Sequence, residues 1–273
     1  MGILSNRTRS LFGNVPYVIQ KRICKWNKMN NLKNKKILIV DDKDGHIGLC
    51  PLRYGIHVDI YELNNIFVNG GSMEVPVNIP DTTDYIFAER SVKGLRERIN
   101  IEFINTPYEV QIKNYYAVDE FKEYEYVIAC RSLSRIENKQ YSMDYKINKL
   151  KSNVKKDGYI YIEYYVALKD DDFKSYPENE FLRKDEILKY FPETEWNVFR
   201  NEYEIVEDNL TPFNREKKQV VIGYFDARKK PSKPKIVRKK IEKKIIVKNG
   251  NVIKVNHNYT INGCVRWKKL IIL

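Results

Sequence analysis

Short apolar runs alternate with longer amphipathic segments through the middle of the chain. Five runs are compact enough for buried strands: Ile37–Val40, His57–Glu62, Ile99–Ile104, Tyr124–Cys130 and Tyr159–Val166. Three intervening segments have helical spacing of their apolar residues: Ile47–Tyr54, Asp81–Arg98 and Ser142–Val154. A strand buried on both faces of a parallel sheet is nearly continuously apolar, and strands that alternate with helices build such a sheet. The pattern predicts an α/β, Rossmann-like, mostly parallel sheet with helices on both faces.

The flanking segments follow other patterns. They predict an amphipathic helix over Val15–Leu32, a hairpin insertion at about 66–77, a terminal antiparallel pair, Trp196–Val206 with Gln219–Phe225, and a C-terminal β-meander, Lys244–Lys248, Asn251–Asn256 and Cys264–Ile272. Asn-Gly pairs separate the meander strands and are strong hairpin signals. The chain therefore divides into an N-terminal segment (1–36), a main domain (37–229) and a basic linker with a β-hairpin tail (230–273). The N-terminal helix either packs on the main domain or binds a membrane surface or partner.

Charge is distributed unevenly over these segments. The net charge is +13, yet residues 1–36 contain nine basic and no acidic residues, and residues 228–273 contain fifteen basic residues and one acidic residue. The middle of the chain is consequently acidic. The basic ends suit an anionic partner, and the eleven Lys and Arg residues of 228–248 predict contact with nucleic acid or another anionic partner through counterion release. The same arm is equally suited to packing on the acidic body.

Cysteine and histidine usage narrows the chemistry. The four cysteines lie far apart, and the three histidines have no ligand-like spacing, so no metal site and no disulfide framework is predicted. No apolar run has membrane-spanning length. We therefore expect a soluble, cytoplasmic protein.

Four places at the expected carboxyl ends of the strands are candidates for binding. They are the turn Asp41–Gly48, Glu62, the pair Asn105-Thr106, and Arg131–Ser134. In open α/β sheets, ligands bind beyond the carboxyl ends of the strands. A carboxylate that ends the second strand can accept both hydroxyls of a ribose, and a small residue in the first turn lets backbone amides approach a cofactor.

The segments YEYVIACRSLSRI, NKLKSNVKKDGYIYIE and KQVVIGYFDARK stand in an order that resembles the class I S-adenosylmethionine-dependent methyltransferases, particularly the tellurite-resistance and thiopurine type. The resemblance spans about 36–229. It implies S-adenosylmethionine as the cofactor, bound by Asp41, Gly45, Glu62, Asn105 and Arg131. Such enzymes act mainly by holding methyl donor and acceptor in line, so no catalytic residue is assigned. The predicted activity is methyl transfer to an unidentified acceptor.

One turn departs from the family pattern. The family's D-x-G-x-G-x-G motif aligns with residues 41–47, where Asp41 and Gly45 match but Lys43 and Ile47 replace glycines. This departure motivates an alternative: a catalytically inactive methyltransferase-like fold that serves as a binding or structural module for nucleic acid, or as a component of a virion or other large assembly, through its basic arms. The segment KKILIVDDKDG also resembles the start of a response-regulator receiver, but Glu89 stands where the phosphoacceptor aspartate is expected.

Overall fold

The computed structural model describes residues 8–32, 34–78, 85–169, 180–208, 218–231, 244–248, 251–261 and 264–269. The chain forms two compact units, Met1–Lys230 and Pro231–Leu273. The α-helices of the first unit are α1 (Tyr17–Lys28), α2 (Leu49–Arg53), α3 (Asn65–Asn69), α4 (Leu95–Ile101) and α5 (Met143–Ser152). Its strands are β1 (Lys36–Val40), β2 (His57–Tyr61), β3 (Gly71–Asn78), β4 (Tyr85–Val92), β5 (Tyr108–Gln111), β6 (Tyr124–Cys130), β7 (Val154–Ala167), β8 (Leu182–Arg183), β9 (Trp196–Asp208) and β10 (Lys218–Lys229).

One mixed sheet organises this unit. Its strand order is β5-β2-β1-β6-β7-β10-β9, and β8 pairs with β7 beside that path. The five strands from β5 to β7 run parallel to their neighbours. In contrast, β10 runs antiparallel to both β7 and β9. The predicted mostly parallel sheet with a terminal antiparallel pair is therefore confirmed.

Apolar clusters cover both faces of the sheet. Leu38 and Val40 of β1 pack in a cluster that includes Ile147 of α5. The alternate β1 residues, Ile37 and Ile39, pack on the other side with residues of α1, α2 and α4. Successive side chains of a strand point to opposite faces, so an interior parallel strand needs apolar residues at every position. The predicted placement of helices on both faces is thereby explained.

The N-terminal helix packs against the main sheet. Helix α1 buries Ile19, Ile23 and Trp26, and these side chains belong to the same cluster as Ile37 and Ile39. Among the two uses that the amphipathic pattern allowed, the structure therefore has the packed helix, because its apolar face is covered by the chain's own core.

The segment between β2 and β5 differs from the expected organisation. The hairpin consists of β3 and β4, which pair antiparallel from Gly71↔Val92 to Asn78↔Tyr85. It therefore replaces both the expected hairpin at 66–77 and most of the expected helix over Asp81–Arg98. Tyr85, Ala88 and Val92 have helical spacing, but the same segment is rich in residues that favour strands, and pairing with β3 decides its conformation.

The expected third strand at Ile99–Ile104 is also wrong. Ile99 is buried within α4, which ends at Ile101, and the next parallel strand is β5 at Tyr108–Gln111. Ile99, Ile101 and Phe103 alternate like strand residues, yet Phe103 has φ +55° and an exposed side chain. The strand-like alternation of apolar residues therefore comes from the last turn of α4 and the turn that follows it.

The second unit contains a three-stranded antiparallel sheet. Its strands are β11 (Lys244–Lys248), β12 (Asn251–Ile261) and β13 (Cys264–Lys269), in that order. The predicted linker lies largely in 232–243, outside the described residues. No helix among the described residues combines the length and apolar character that crossing a membrane requires.

Candidate functional site

The candidate site lies at the carboxyl ends of β1, β2 and β6. The turn that follows β1 has positive φ angles at Asp41 (+61°), Lys43 (+60°) and Gly45 (+86°), and Arg131, directly after β6, has φ +63°. Left-handed backbone is unfavourable for residues with a side chain, by about 1–3 kcal/mol, and it is concentrated at functional sites. Lys43 therefore retains the backbone conformation for which the family pattern uses glycine.

Gly45 and Gly48 have different roles in this turn. A Cβ at Gly45 would lie 2.7 Å from Leu95 Cδ1, so both its positive φ and its packing require glycine. Gly48 has φ −62°, which any residue adopts, but a Cβ there would lie 2.4 Å from Asp42 Oδ2. Gly48 therefore provides room for Asp42 and does not replace a missing left-handed glycine of the motif.

The buried carboxyl group of Asp42 accepts hydrogen bonds from the backbone of the same turn. Its Oδ1 accepts hydrogen bonds from the backbone N–H groups of Ile47 (2.8 Å) and Gly48 (3.0 Å). Burial raises the pKa of Asp42 to about 8, although these two hydrogen bonds favour the charged form. The carboxyl group holds the turn in place and faces the protein interior.

Glu62 follows β2 and joins the turn to the second strand. Its carboxylate is fully buried. Oε2 accepts from the Lys43 N–H at 2.8 Å, and Oε1 accepts from the Asn64 N–H at 2.9 Å. The predicted acid is therefore fixed against the left-handed part of the turn by the backbone of Lys43.

Arg135 completes this cluster and was not among the site residues predicted from the sequence. It lies between short 3₁₀ helices at Ser132–Ser134 and Ile136–Asn138, in the loop after β6. Its Nη1 is 2.9 Å from Asp41 Oδ1 and 3.3 Å from Glu62 Oε1, while Nη2 is 3.1 Å from Glu137 Oε1. The available signal was position alone: Arg135 is the residue after the predicted segment Arg131–Ser134.

Asp41 is incompletely satisfied despite this contact. Its Oδ2 is buried and has no hydrogen-bond partner among the described residues. Burial raises the pKa of Asp41 to about 7, against the opposing effect of Arg135, and the neighbouring Glu62 raises it further. A buried, unpartnered carboxylate oxygen is rare in folded proteins and marks this position for ligand or proton binding.

The N-terminal segment covers the outer side of the turn. Ser10 Oγ and the Leu11 N–H donate to the carboxylate of Asp44 at 2.6 and 2.9 Å. The Lys43 ammonium lies 4.2 Å from the ring centroid of Phe12. The Lys43 side chain thus contacts the N-terminal segment. The departure from glycine at this position therefore places a side chain against Phe12.

The other two predicted site residues differ in position. Arg131 stands at the carboxyl end of β6, where its N–H donates to the Glu163 carbonyl at 2.8 Å and its Nε lies 3.9 Å from the Glu163 carboxylate. Asn105 is exposed and precedes β5. Asn105 therefore lies at the amino ends of the parallel strands, whereas Asp41 and Glu62 lie at their carboxyl ends. The misplaced third strand caused this error, because the residue after the true strand is Ile112.

Comparison with known proteins identifies the fold. No protein-family model matches the sequence, and no curated protein matches it. The structure is similar to TehB from Haemophilus influenzae, with a TM-score of 0.51 and 16% sequence identity over 77% of this chain and 62% of TehB. The matched part therefore spans less than two thirds of TehB.

Two further solved structures have the same arrangement. The YcgJ protein from Bacillus subtilis has a TM-score of 0.50 and 8% identity, over 78% of this chain and 99% of YcgJ. A putative sarcosine dimethylglycine methyltransferase from Galdieria sulphuraria has a TM-score of 0.50 and 9% identity, over 77% of this chain and 85% of that protein. The chain has the fold of the class I S-adenosylmethionine-dependent methyltransferases, as the sequence resemblance predicted.

Proposed function

We propose that this chain binds S-adenosylmethionine at the carboxyl ends of β1 and β2 and transfers its methyl group to an acceptor. The observation that carries the proposal is the hydrogen bond from the Lys43 N–H to Glu62 Oε2. It joins a turn with alternating left-handed residues to an acid at the end of the second strand. Binding the nucleoside of a cofactor requires a turn whose backbone can approach the ligand closely. It also requires an acid that accepts hydrogen bonds from the ribose hydroxyl groups.

The acceptor capacity of Glu62 tests whether a ribose fits. A carboxylate offers about four acceptor positions. The N–H groups of Lys43 and Asn64 use two of them, and Arg135 uses a third. A ribose diol needs two, so it fits if the Arg135 side chain leaves Glu62 while both backbone contacts remain. Arg135 is partly exposed, which gives its guanidinium a route towards solvent.

The charge of the cluster also suits this cofactor. Asp41 and Glu62 are buried carboxylates that need a nearby cation, and Arg135 supplies one. S-adenosylmethionine carries a sulfonium and an ammonium group, and when bound it supplies an electrophilic methyl group. Asp41, with its unpartnered Oδ2, and Glu62 are the residues that would hold it, with Gly45 giving the close approach of the turn. The acceptor stays open.

Calorimetric titration of the full chain with S-adenosylmethionine and S-adenosylhomocysteine tests the proposal. We expect Glu62→Gln to weaken binding about 10-fold or more, because hydrogen bonds to a charged acceptor are lost. The matched control, Glu193→Gln at an exposed position, leaves affinity unchanged. Arg135→Gln is expected to tighten binding about 3-fold or more, because the competing guanidinium is removed.

The two variants protect the test from a folding artefact. A thermal melt of each variant shows whether it is folded, because Arg135→Gln removes the cation that Asp41 and Glu62 share. If only Glu62→Gln is unfolded, Arg135→Gln still gives a result of opposite sign. Absence of binding at millimolar ligand, for both the natural chain and Arg135→Gln, overturns the proposal and leaves a methyltransferase fold without its cofactor. Transfer itself is followed with methyl-labelled cofactor and a small-molecule extract, where label should enter products with the natural chain and, at subsaturating cofactor, enter them more slowly with Glu62→Gln.

A further inference from the structure

A second group of polar side chains lies on the two outermost parallel strands, away from the candidate cofactor site. His57 and Asp59 belong to β2, and Glu109 belongs to β5. Asp59 is only 4% exposed. A charged residue within a buried parallel strand departs from the apolar pattern of such strands and requires polar partners.

Strand register brings the three side chains together. Asp59 is paired directly with Glu109, and His57 is two residues earlier on β2, so all three share one face of the sheet. One possible ligand atom from each residue lies within 4.8 Å of the others. His57 Nε2 and Asp59 Oδ1 lie 2.7 Å apart.

Tyr124 orients the carboxylate of Asp59 through a hydrogen bond. Its hydroxyl group donates to Asp59 Oδ2 at 2.7 Å, which leaves Oδ1 directed at His57. Hydrogen bonds of this kind orient the carboxylates that bind metals.

We propose that His57, Asp59 and Glu109 form a binding site for a divalent transition metal, with Zn²⁺ as the preferred ion. One imidazole nitrogen and two carboxylate oxygens are three of the four ligands of a tetrahedral zinc site, and water completes it. Metal–ligand bonds of about 2.0 Å place the ligand atoms roughly 3.3 Å apart. Glu109 is exposed on the edge strand, so its side chain can rotate to reach that separation.

A lysine now balances the negative charge of this group. Lys122 Nζ lies 3.5 Å from Glu109 Oε2 and 3.3 Å from Glu120 Oε1. A bound metal ion would take the place of this ammonium at Glu109. Removing Lys122 should therefore favour the metal, whereas removing a ligand should disfavour it.

Titration of the full chain with Zn²⁺, followed by calorimetry, tests the site. We expect one ion to bind, and His57→Gln and Glu109→Gln each to weaken binding by more than about 10-fold. Tyr124→Phe should weaken it by about 10-fold, as other outer-shell partners do. Lys122→Gln should tighten it, a change that a purely structural role for the cluster does not produce.

Two matched variants control the measurement. His46→Gln removes another partly buried histidine, and Glu120→Gln removes the neighbouring partner of Lys122; neither should change Zn²⁺ affinity as the ligand variants do. Absence of Zn²⁺ binding overturns the proposal. So does binding that persists unchanged in both His57→Gln and Glu109→Gln. The proposal does not depend on methyl transfer, because its readout is metal affinity alone.

Discussion

Arg22 and Arg135 both pair with buried carboxylates, and they do so differently. Arg22 of α1 makes two parallel hydrogen bonds to Asp226 of β10, both 2.7 Å long. Its guanidinium also lies 3.9 and 4.9 Å from the ring centroids of Tyr159 and Tyr126. A bidentate pair of this kind uses the fork geometry of arginine fully, and it fixes the N-terminal helix to the sheet.

Arg135 distributes its contacts instead. It divides its donors among Asp41, Glu62 and Glu137, and it leaves Asp41 Oδ2 without a partner among the described residues. The adjoining turn contains left-handed residues, whereas α1 has regular helical structure up to Lys28. A fully hydrogen-bonded ion pair therefore serves stability. An ion pair that leaves a buried carboxylate oxygen unpartnered, on left-handed backbone, is where a bound ligand would gain most.

The largest effect is expected where the satisfied pair is broken. Arg22→Met leaves Asp226, which is 2% exposed, as an unpaired buried carboxylate. We expect this variant to lose about 3–5 kcal/mol of unfolding free energy, measured by urea denaturation. The double variant Arg22→Met/Asp226→Leu should recover most of the loss, because no buried charge remains. Equal losses in the single and double variants would contradict the structural role of the pair.

An intermediate effect is expected from pH. Burial raises the pKa of Asp42 to about 8 and that of Asp41 to about 7, from 3.8. Between pH 6.5 and 8 the folded chain therefore holds protons that the unfolded chain has released, so unfolding free energy falls as pH rises. This stabilisation is fully present below 3.8, the pKa of an aspartate in the unfolded chain, and it is lost as the pH rises through the folded pKa values of about 7 and 8. Each unit of pKa difference corresponds to about 1.4 kcal/mol.

Urea denaturation at several pH values checks this dependence. Burial lowers the pKa of His46 to about 4, from 6.5, so its contribution lies mainly below the chosen window. We expect Asp42→Asn to flatten the fall, since the amide keeps an acceptor for the Ile47 and Gly48 N–H groups. The exposed Asp157→Asn should follow the natural chain. A stability that rises from pH 6.5 to 8, or an Asp42→Asn curve parallel to the natural one, would rule the interpretation out.

The smallest effect is expected at the strained lysine. Lys43→Gly removes left-handed strain of about 1–2 kcal/mol. The same change removes the contact between the Lys43 ammonium and the Phe12 ring, worth about 0.5–1 kcal/mol, and adds the flexibility of glycine to the unfolded chain. Unfolding free energy should therefore change by less than about 1 kcal/mol. A loss of more than about 2 kcal/mol would show that Lys43 stabilises the turn by another contact.

The order of apolar and polar residues predicted the parallel strands correctly where the residues of a segment also favour the conformation that they adopt in the fold. The run at 124–130 coincides with β6, and Ser142 caps α5 through a hydrogen bond to the Tyr145 N–H. Between residues 66 and 104 the predicted helix and strand were wrong. The segment of β4 takes its conformation from pairing with β3, and the apolar alternation at 99–103 spans the end of α4. The position of Asn105 was consequently wrong.

Residue type and local order were enough to predict the fold class, the acidic residues after β1 and β2, and the departure from the glycine pattern at Lys43. The contacts of Arg135 with Asp41 and Glu62 arise only in the folded chain, since 73 residues separate Arg135 from Glu62 in sequence. Strand pairing likewise brings Asp59 beside Glu109. Contacts between side chains distant in sequence depend on register and loop path, which the order of apolar and polar residues does not encode.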